Sequence, residues 1–204
     1  MAMWVWRLSA SDDGTVPNGW ADPPARHWDC INFQIGELFN SHDLTQGWGI
    51  PGLDLNLNEP DWVRNRLEWS RVLGEHHVTI KGAEKEYALM IPIKRDIRIK
   101  DIIFVPKVGQ NCFSEDHFTV VTVAGNYRFD PRGPFSNTWR YCYQQGFGHI
   151  IPVNSDRTRV FHKNELQSGA FGAPFLKRVN SVPRSAYRGF DDFLRRHNYP
   201  FNPY

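Results

Sequence analysis

Two β-branched runs constrain this chain more than anything else in it. Residues 101–106 read DIIFVP and residues 118–125 read FTVVTVAG. Val, Ile, Thr and Phe suit a pleated, packed surface, and Pro106 and Gly125 close the runs, so both segments are expected to be β-strands. Further strands are expected at residues 3–8 (MWVWRL), 149–153 (HIIPV) and 158–162 (TRVFH), with a short candidate at 76–80 (HHVTI). In the first of these, Trp4 and Trp6 fall on one face because strand side chains repeat every second residue. Residues 9–28, rich in Asp, Gly, Asn and Pro, read as a loop.

Helices lie outside these strands. NEPDWVRNRLEWSRVLGE carries Asn58 as a candidate N-cap, Pro60 in the first turn and Gly74 as a stop, with Trp62, Leu67, Trp69 and Leu73 as inward positions. A turn of helix is expected in GAEKEYALM, and an amphipathic helix in SAYRGFDDFLRRH, where Tyr187, Phe190, Phe193 and Leu194 recur at helical spacing. The fold class is therefore α+β, with short strands forming a small mixed β-barrel flanked by helices. No internal repeat or low-complexity linker divides the 204 residues, a length that suits one domain with additions.

Composition removes several function classes. Cys30, Cys112 and Cys142 are an odd number at unrelated spacings, which suggests neither a disulfide framework nor a zinc ribbon. The N-terminal MAMWVWRLSASDDG lacks a basic segment followed by an apolar one, and no apolar run approaches the roughly 20 residues that span a bilayer. A soluble, cytoplasmic protein with no membrane partner is expected. The net charge of +2 conceals an asymmetry. Residues 1–155 hold 15 Lys and Arg against 18 Asp and Glu, whereas residues 156–204 hold 9 against 4. A basic tail suits contact with phosphates, although a solvated surface accounts for it equally.

Chemical motifs are sparse. Gly47, Gly49 and Gly52 spell G-x-G-x-x-G, but a dinucleotide cradle must follow a buried strand and open a helix. NSHDLTQ precedes the motif and Pro51 interrupts it, so no dinucleotide site is expected. The glycines instead leave Trp48 unhindered on both sides in what reads as a loop. There is no G-x-S-x-G elbow, and Cys142 with His149 is a weak pairing. Adjacent His76 and His77 would point to opposite faces of a strand, and His27, His42, His117 and His162 lack zinc-like spacing. No metal and no cofactor are expected.

Taken in order, LTQGWG and LDL (44–55), IRIKDIIFVP (97–106), HFTVVTVAGNYRFD (117–130) and GFGHIIPV (146–153) resemble the PUA-like superfamily. The likeness is to the EVE-like and related domains of bacterial modified-DNA restriction and defence systems, and it spans roughly residues 3–162. In such domains a Trp-bearing N-terminal strand precedes a helical insertion, and a G-D-x-V/I strand opens the second half of a small barrel. Trp4 and Trp6 match the first element and Asp101 to Val105 the second, with Lys100 where those domains carry glycine. The resemblance implies a PUA-like domain over 1–165, with a basic extension over 166–204 whose helix packs on it.

It also implies a non-catalytic reader that flips a modified base, such as a methylated cytosine or adenine in DNA, into an aromatic cage. Unstacking a base costs a few kcal/mol, and stacking it on aromatic rings returns about 1–3 kcal/mol per base. A methyl group adds apolar area that a dry, Trp-walled pocket favours. The candidate cage residues are Trp48, Trp6, Trp4, Tyr127 and Phe129, each with core packing as its alternative. Asp54 and Asn126 are candidates for the base edge, or else cap turns. Arg128, Arg132, Arg140 and Lys107 are candidates for phosphate, or else are solvated. His149 reads as a hydrogen-bonding residue at a barrel end. The expected partner is nucleic acid, DNA before RNA, with room for a separate nuclease. A second reading is a nuclease or base-processing hydrolase on the same barrel, assembled from His149, Asp130 and His117.

Overall fold

The two β-branched runs pair with each other. In the computed structural model, which describes residues 1–8, 31–48, 53–54, 62–75, 79–132, 147–166, 168, 170–171, 179–182 and 187–199, β3 (Ile102–Gly109) and β4 (Cys112–Thr122) form an antiparallel hairpin. Asn111 in its turn takes φ 56°, a left-handed conformation that asparagine tolerates better than most residues. The register shifts between Pro106 and Val108. A proline cannot donate to a ladder and is tolerated at such a bulge, where Lys107 takes φ 64°.

β1 (Met3–Trp6) lies parallel to β3, and β8 (Val179–Ser181) and β7 (Arg159–His162) complete a five-stranded sheet of order β7-β4-β3-β1-β8. Alternation divides its side chains between two cores. Trp4, Trp6, Ile103, Val105 and Val121 enter one. Met3, Val5, Ile102, Phe104, Phe118 and Val120 enter the other. Burial on both faces explains why these segments are apolar almost throughout rather than at every second residue.

β2 (Asp43–Trp48), β6 (Phe147–Pro152) and β5 (Arg128–Arg132) form a second, antiparallel sheet of order β2-β6-β5. It joins the first at a corner through the Val123↔Val153 bridge and the bonds Ala124 N–H to Pro152 O (2.8 Å) and Asn154 N–H to Thr122 O (2.9 Å). A Cβ on Gly125 would come within 3.0 Å of the Pro152 ring, so the corner needs a residue without a side chain. The fold is mixed α+β. Among the described residues the strands make two sheets and no closed barrel.

Helix α1 covers 31–36 and continues as a π-turn at Glu37–Ser41. α2 (Trp62–Glu75) and α3 (Ile80–Arg95) follow β2 and bury Trp69, Leu73, Ala83, Tyr87 and Met90 in the first core. α4 (Tyr187–Arg196) buries Phe190, Phe193 and Leu194 in the second. Spacing of i, i+3 and i+4 puts those three on one stripe.

Several expectations are corrected. Leu67 is 61% exposed, and Val72 takes the inward place on α2. Thr79 and Ile80 do not extend a strand: the Thr79 hydroxyl accepts from Gly82 N–H (3.2 Å), and Ile80 begins α3. α3 runs for 16 residues, well past the single turn expected, and crosses Pro92. The bond that Pro92 cannot make would go to the carbonyl of Ala88, an exposed residue that water can serve. Residues 9–28, Asn58, Pro60 and 76–78 lie outside the described residues.

Candidate functional site

β2, β6 and β5 place three side chains in one row. Gln46 stands opposite His149, and His149 opposite Phe129. Directly paired residues share a face. Leu44 and Ile151, two positions along the same strands, belong to the first core, so this row faces inward. Trp69 of α2 comes down on it.

His149 is the centre of the row and fully buried. Its ring lies 5.5 Å from Trp69, 5.9 Å and nearly parallel to Tyr127, and 5.2 Å and edge-on to Phe129. Trp69 is braced in turn by Tyr87 of α3, edge-to-face at 5.2 Å. Loss of hydration pushes the His149 pKa from 6.5 down to about 3, so the imidazole is neutral.

The Tyr127 hydroxyl is 3.0 Å from His149 Nδ1 and 3.4 Å from Asp54 Oδ1. It has one proton for two acceptors. When the hydroxyl donates to Asp54, Nδ1 carries the ring proton and donates to the tyrosine oxygen, leaving Nε2 an acceptor. When the hydroxyl donates to Nδ1, Nε2–H becomes a donor. His149 can therefore present either character at Nε2 without any change of charge.

Nε2 has no partner among the described residues, and neither do the Trp69 Nε1–H donor nor Gln46 Oε1, all three of them buried. A buried polar atom left unpaired costs about 1–3 kcal/mol. Three such atoms among the described residues gather at His149, Trp69 and Gln46, the kind of grouping that functional sites commonly show.

The remaining candidates fall in different places. Trp6 is fully buried and Trp4 is 6% exposed, both in the first core. Trp4 Nε1–H donates to Asp101 Oδ2 (3.0 Å), and the same carboxylate accepts from Ala2 N–H (2.6 Å) and Arg98 N–H (2.9 Å). Asp101 thus ties the first strand to the start of β3. Trp48 is not in a loop: it ends β2, paired with Phe147. Its side chain is not among those described, nor is that of Arg132, and Arg140 lies wholly outside the described residues. Asn126 is exposed in the bend between β4 and β5. Arg128 pairs with buried Asp43. Lys107 pairs with Glu115 (2.8 Å) on the hairpin of the other sheet.

His149, Asp130 and His117 are not brought together. Asp130 follows Phe129 on β5 and is exposed, while His117 pairs across to His162 on the five-stranded sheet. Sequence reasoning named Tyr127, Phe129, Asp54 and His149 separately and missed Gln46. The alternation of Leu44 and Gln46 in DLTQGW was the available signal. Among the described residues no cluster of three or more metal-ligating side chains is present, and no helix is long and apolar enough to cross a membrane. No protein-family model matches the chain, and no curated protein or solved structure matches it either.

Proposed function

We propose that this chain is a nucleic-acid-binding module of PUA-like type, which recognises a modified base flipped against the row Gln46, His149 and Phe129. The reading is carried by a neutral, buried His149 among three aromatic rings, beside buried donor and acceptor atoms that lack partners among the described residues. A flipped base offers what such a surface lacks: a flat π-face for the rings and a hydrogen-bonding edge for the polar atoms. The two protonation arrangements of Tyr127 and His149 suit either a donor or an acceptor on that edge. Trp4 and Trp6 have no part in this version of the cage, because they stand on β1 of the five-stranded sheet and not on the row Gln46, His149 and Phe129.

The chemistry also favours binding over hydrolysis. An imidazole protonated only near pH 3 is a poor general base at neutral pH. The test is a titration with short DNA and RNA oligonucleotides that carry modified or ordinary cytosine and adenine, repeated over a salt series. One modified oligonucleotide is expected to bind at least tenfold more tightly than its unmodified twin, with the preference kept at all salt concentrations. Equal and negligible affinity for every oligonucleotide would contradict the proposal.

A further inference from the structure

On the side of the central sheet facing away from the His149 row lies an open groove of about 610 Å³. It runs between the β3–β4 hairpin and Lys163, Asn164, Leu166, Ser168, Ala170 and Phe171. Its apolar floor includes Pro106, Leu166 and Phe171, and its rim carries Arg7, Lys107 and Lys163 with one carboxylate, Glu115. Phe171 is fixed from behind by Phe104 and Phe118, at 6.4 and 5.3 Å between ring centres.

Arg7 is the informative residue. It leaves the end of β1 and donates from Nη2 to the Phe171 carbonyl (2.8 Å), which fixes the guanidinium. Its Nε–H is buried and has no partner among the described residues. A positioned, always charged guanidinium lining a groove suits a planar or tetrahedral oxyanion. Lys107 and Lys163 add positive charge, although each is held by a carboxylate, Glu115 at 2.8 Å and Asp116 at 2.5 Å. Those lysines and carboxylates are half exposed or more, and such surface pairs are weak enough for a doubly charged anion to displace. The volume falls within the range of small-ligand sites.

We propose that this groove is a phosphate site, in which the Arg7 guanidinium and the two lysines hold a phosphate group and the Phe171 floor takes the apolar or aromatic body that carries it. The phosphate can come from a free nucleotide-sized ligand or from a nucleic-acid backbone crossing this face. The chemistry is the same, and the proposal does not depend on the His149 row.

The experiment follows the Arg7 Nε–H resonance of the full chain by NMR and measures affinity by calorimetry. The probes are inorganic phosphate, adenosine 5′-monophosphate and an unmodified single-stranded DNA 12-mer. A saturable shift with the monophosphate alone identifies a free ligand, and one with the 12-mer alone identifies a backbone. Either supports the site. Arg7→Lys is expected to weaken binding about tenfold or more, the scale of a lost charge-assisted hydrogen bond. Lys107→Ala, a change at an exposed side chain, weakens it a few-fold, and Glu115→Gln tightens it a few-fold by releasing Lys107. Arg7→Lys leaves the preference for a modified over an unmodified oligonucleotide in place, so this proposal and the base-reading one fail separately. An Arg7 resonance unmoved by all three probes, or equal affinity in the Lys107→Ala and Glu115→Gln proteins, overturns it.

Discussion

The central sheet has two faces, and their chemistry differs. Towards α4 the core is almost wholly apolar, and Phe104 meets Phe118, Phe171, Phe190 and Phe193 within 6.4 Å. Towards the three-stranded sheet, the core ends in a row that buries Gln46 and His149 with Thr45 nearby. One face gains stability from nearly every side chain it buries. The other buries polar atoms that have no hydrogen-bond partner among the described residues, which costs stability wherever such an atom stays unpaired. The contrast divides the molecule into a part that holds it together and the part to which we assign the proposed binding.

The largest effect expected from breaking this contrast lies on the apolar face. Phe104→Ala should lower the unfolding free energy in urea by about 4 kcal/mol, the usual scale for deleting a buried aromatic ring. The fraction that stays folded should keep its preference for the modified oligonucleotide over the unmodified one, because the Gln46, His149 and Phe129 row lies on the other side of the sheet.

The second effect belongs to His149. Its folded pKa, about 3, lies below the ordinary 6.5 of the unfolded chain. Between those values the unfolded state binds a proton that the folded state refuses. Stability is therefore full above about pH 6.5 and falls on acidification by about 1.4 kcal/mol per pH unit, or about 3 kcal/mol between pH 6 and pH 4. Urea unfolding across that range should show the decline in the natural protein and a flatter line in His149→Gln. Parallel lines would mean that the imidazole is not desolvated.

Tyr127→Phe removes one hydroxyl without changing the ring. It should cost about 1 kcal/mol of stability but weaken recognition of the preferred oligonucleotide about tenfold, as measured by calorimetry. A change confined to stability would move Tyr127 to the structural side of the comparison. The smallest effect is expected at Lys100, which takes φ 77° just before Asp101. Glycine adopts that conformation freely, so Lys100→Gly should raise the thermal midpoint slightly, corresponding to about 0.5 kcal/mol.

What could be read from the sequence follows the same division. The apolar face was legible because its signals are local: β-branched runs at 101–106 and 118–125, and the Phe190, Phe193 and Leu194 stripe. The polar row was not. DLTQGW contains Asp, Gln and Gly, which have low strand propensity, and it becomes a strand by pairing with residues about a hundred positions away. Its alternation was hidden by a glycine spacing that drew attention to Trp48. The turn expected in GAEKEYALM is one part of α3, which packing of Ala83, Tyr87 and Met90 carries across both Gly82 and Pro92. Trp4 and Trp6 were correctly placed on one face, but nothing local says that the face is core. The Asp101 carboxylate that anchors Trp4 is ninety-seven residues away.

The most direct test compares two indole protons. Trp69 Nε1–H belongs to the polar row and has no acceptor among the described residues, whereas Trp4 Nε1–H is bound to Asp101. In an NMR titration with the preferred modified oligonucleotide, the Trp69 indole resonance should shift to saturation while that of Trp4 stays in place. A stationary Trp69 resonance at saturating oligonucleotide, or equal movement of both, would contradict the assignment of binding to the three-stranded sheet.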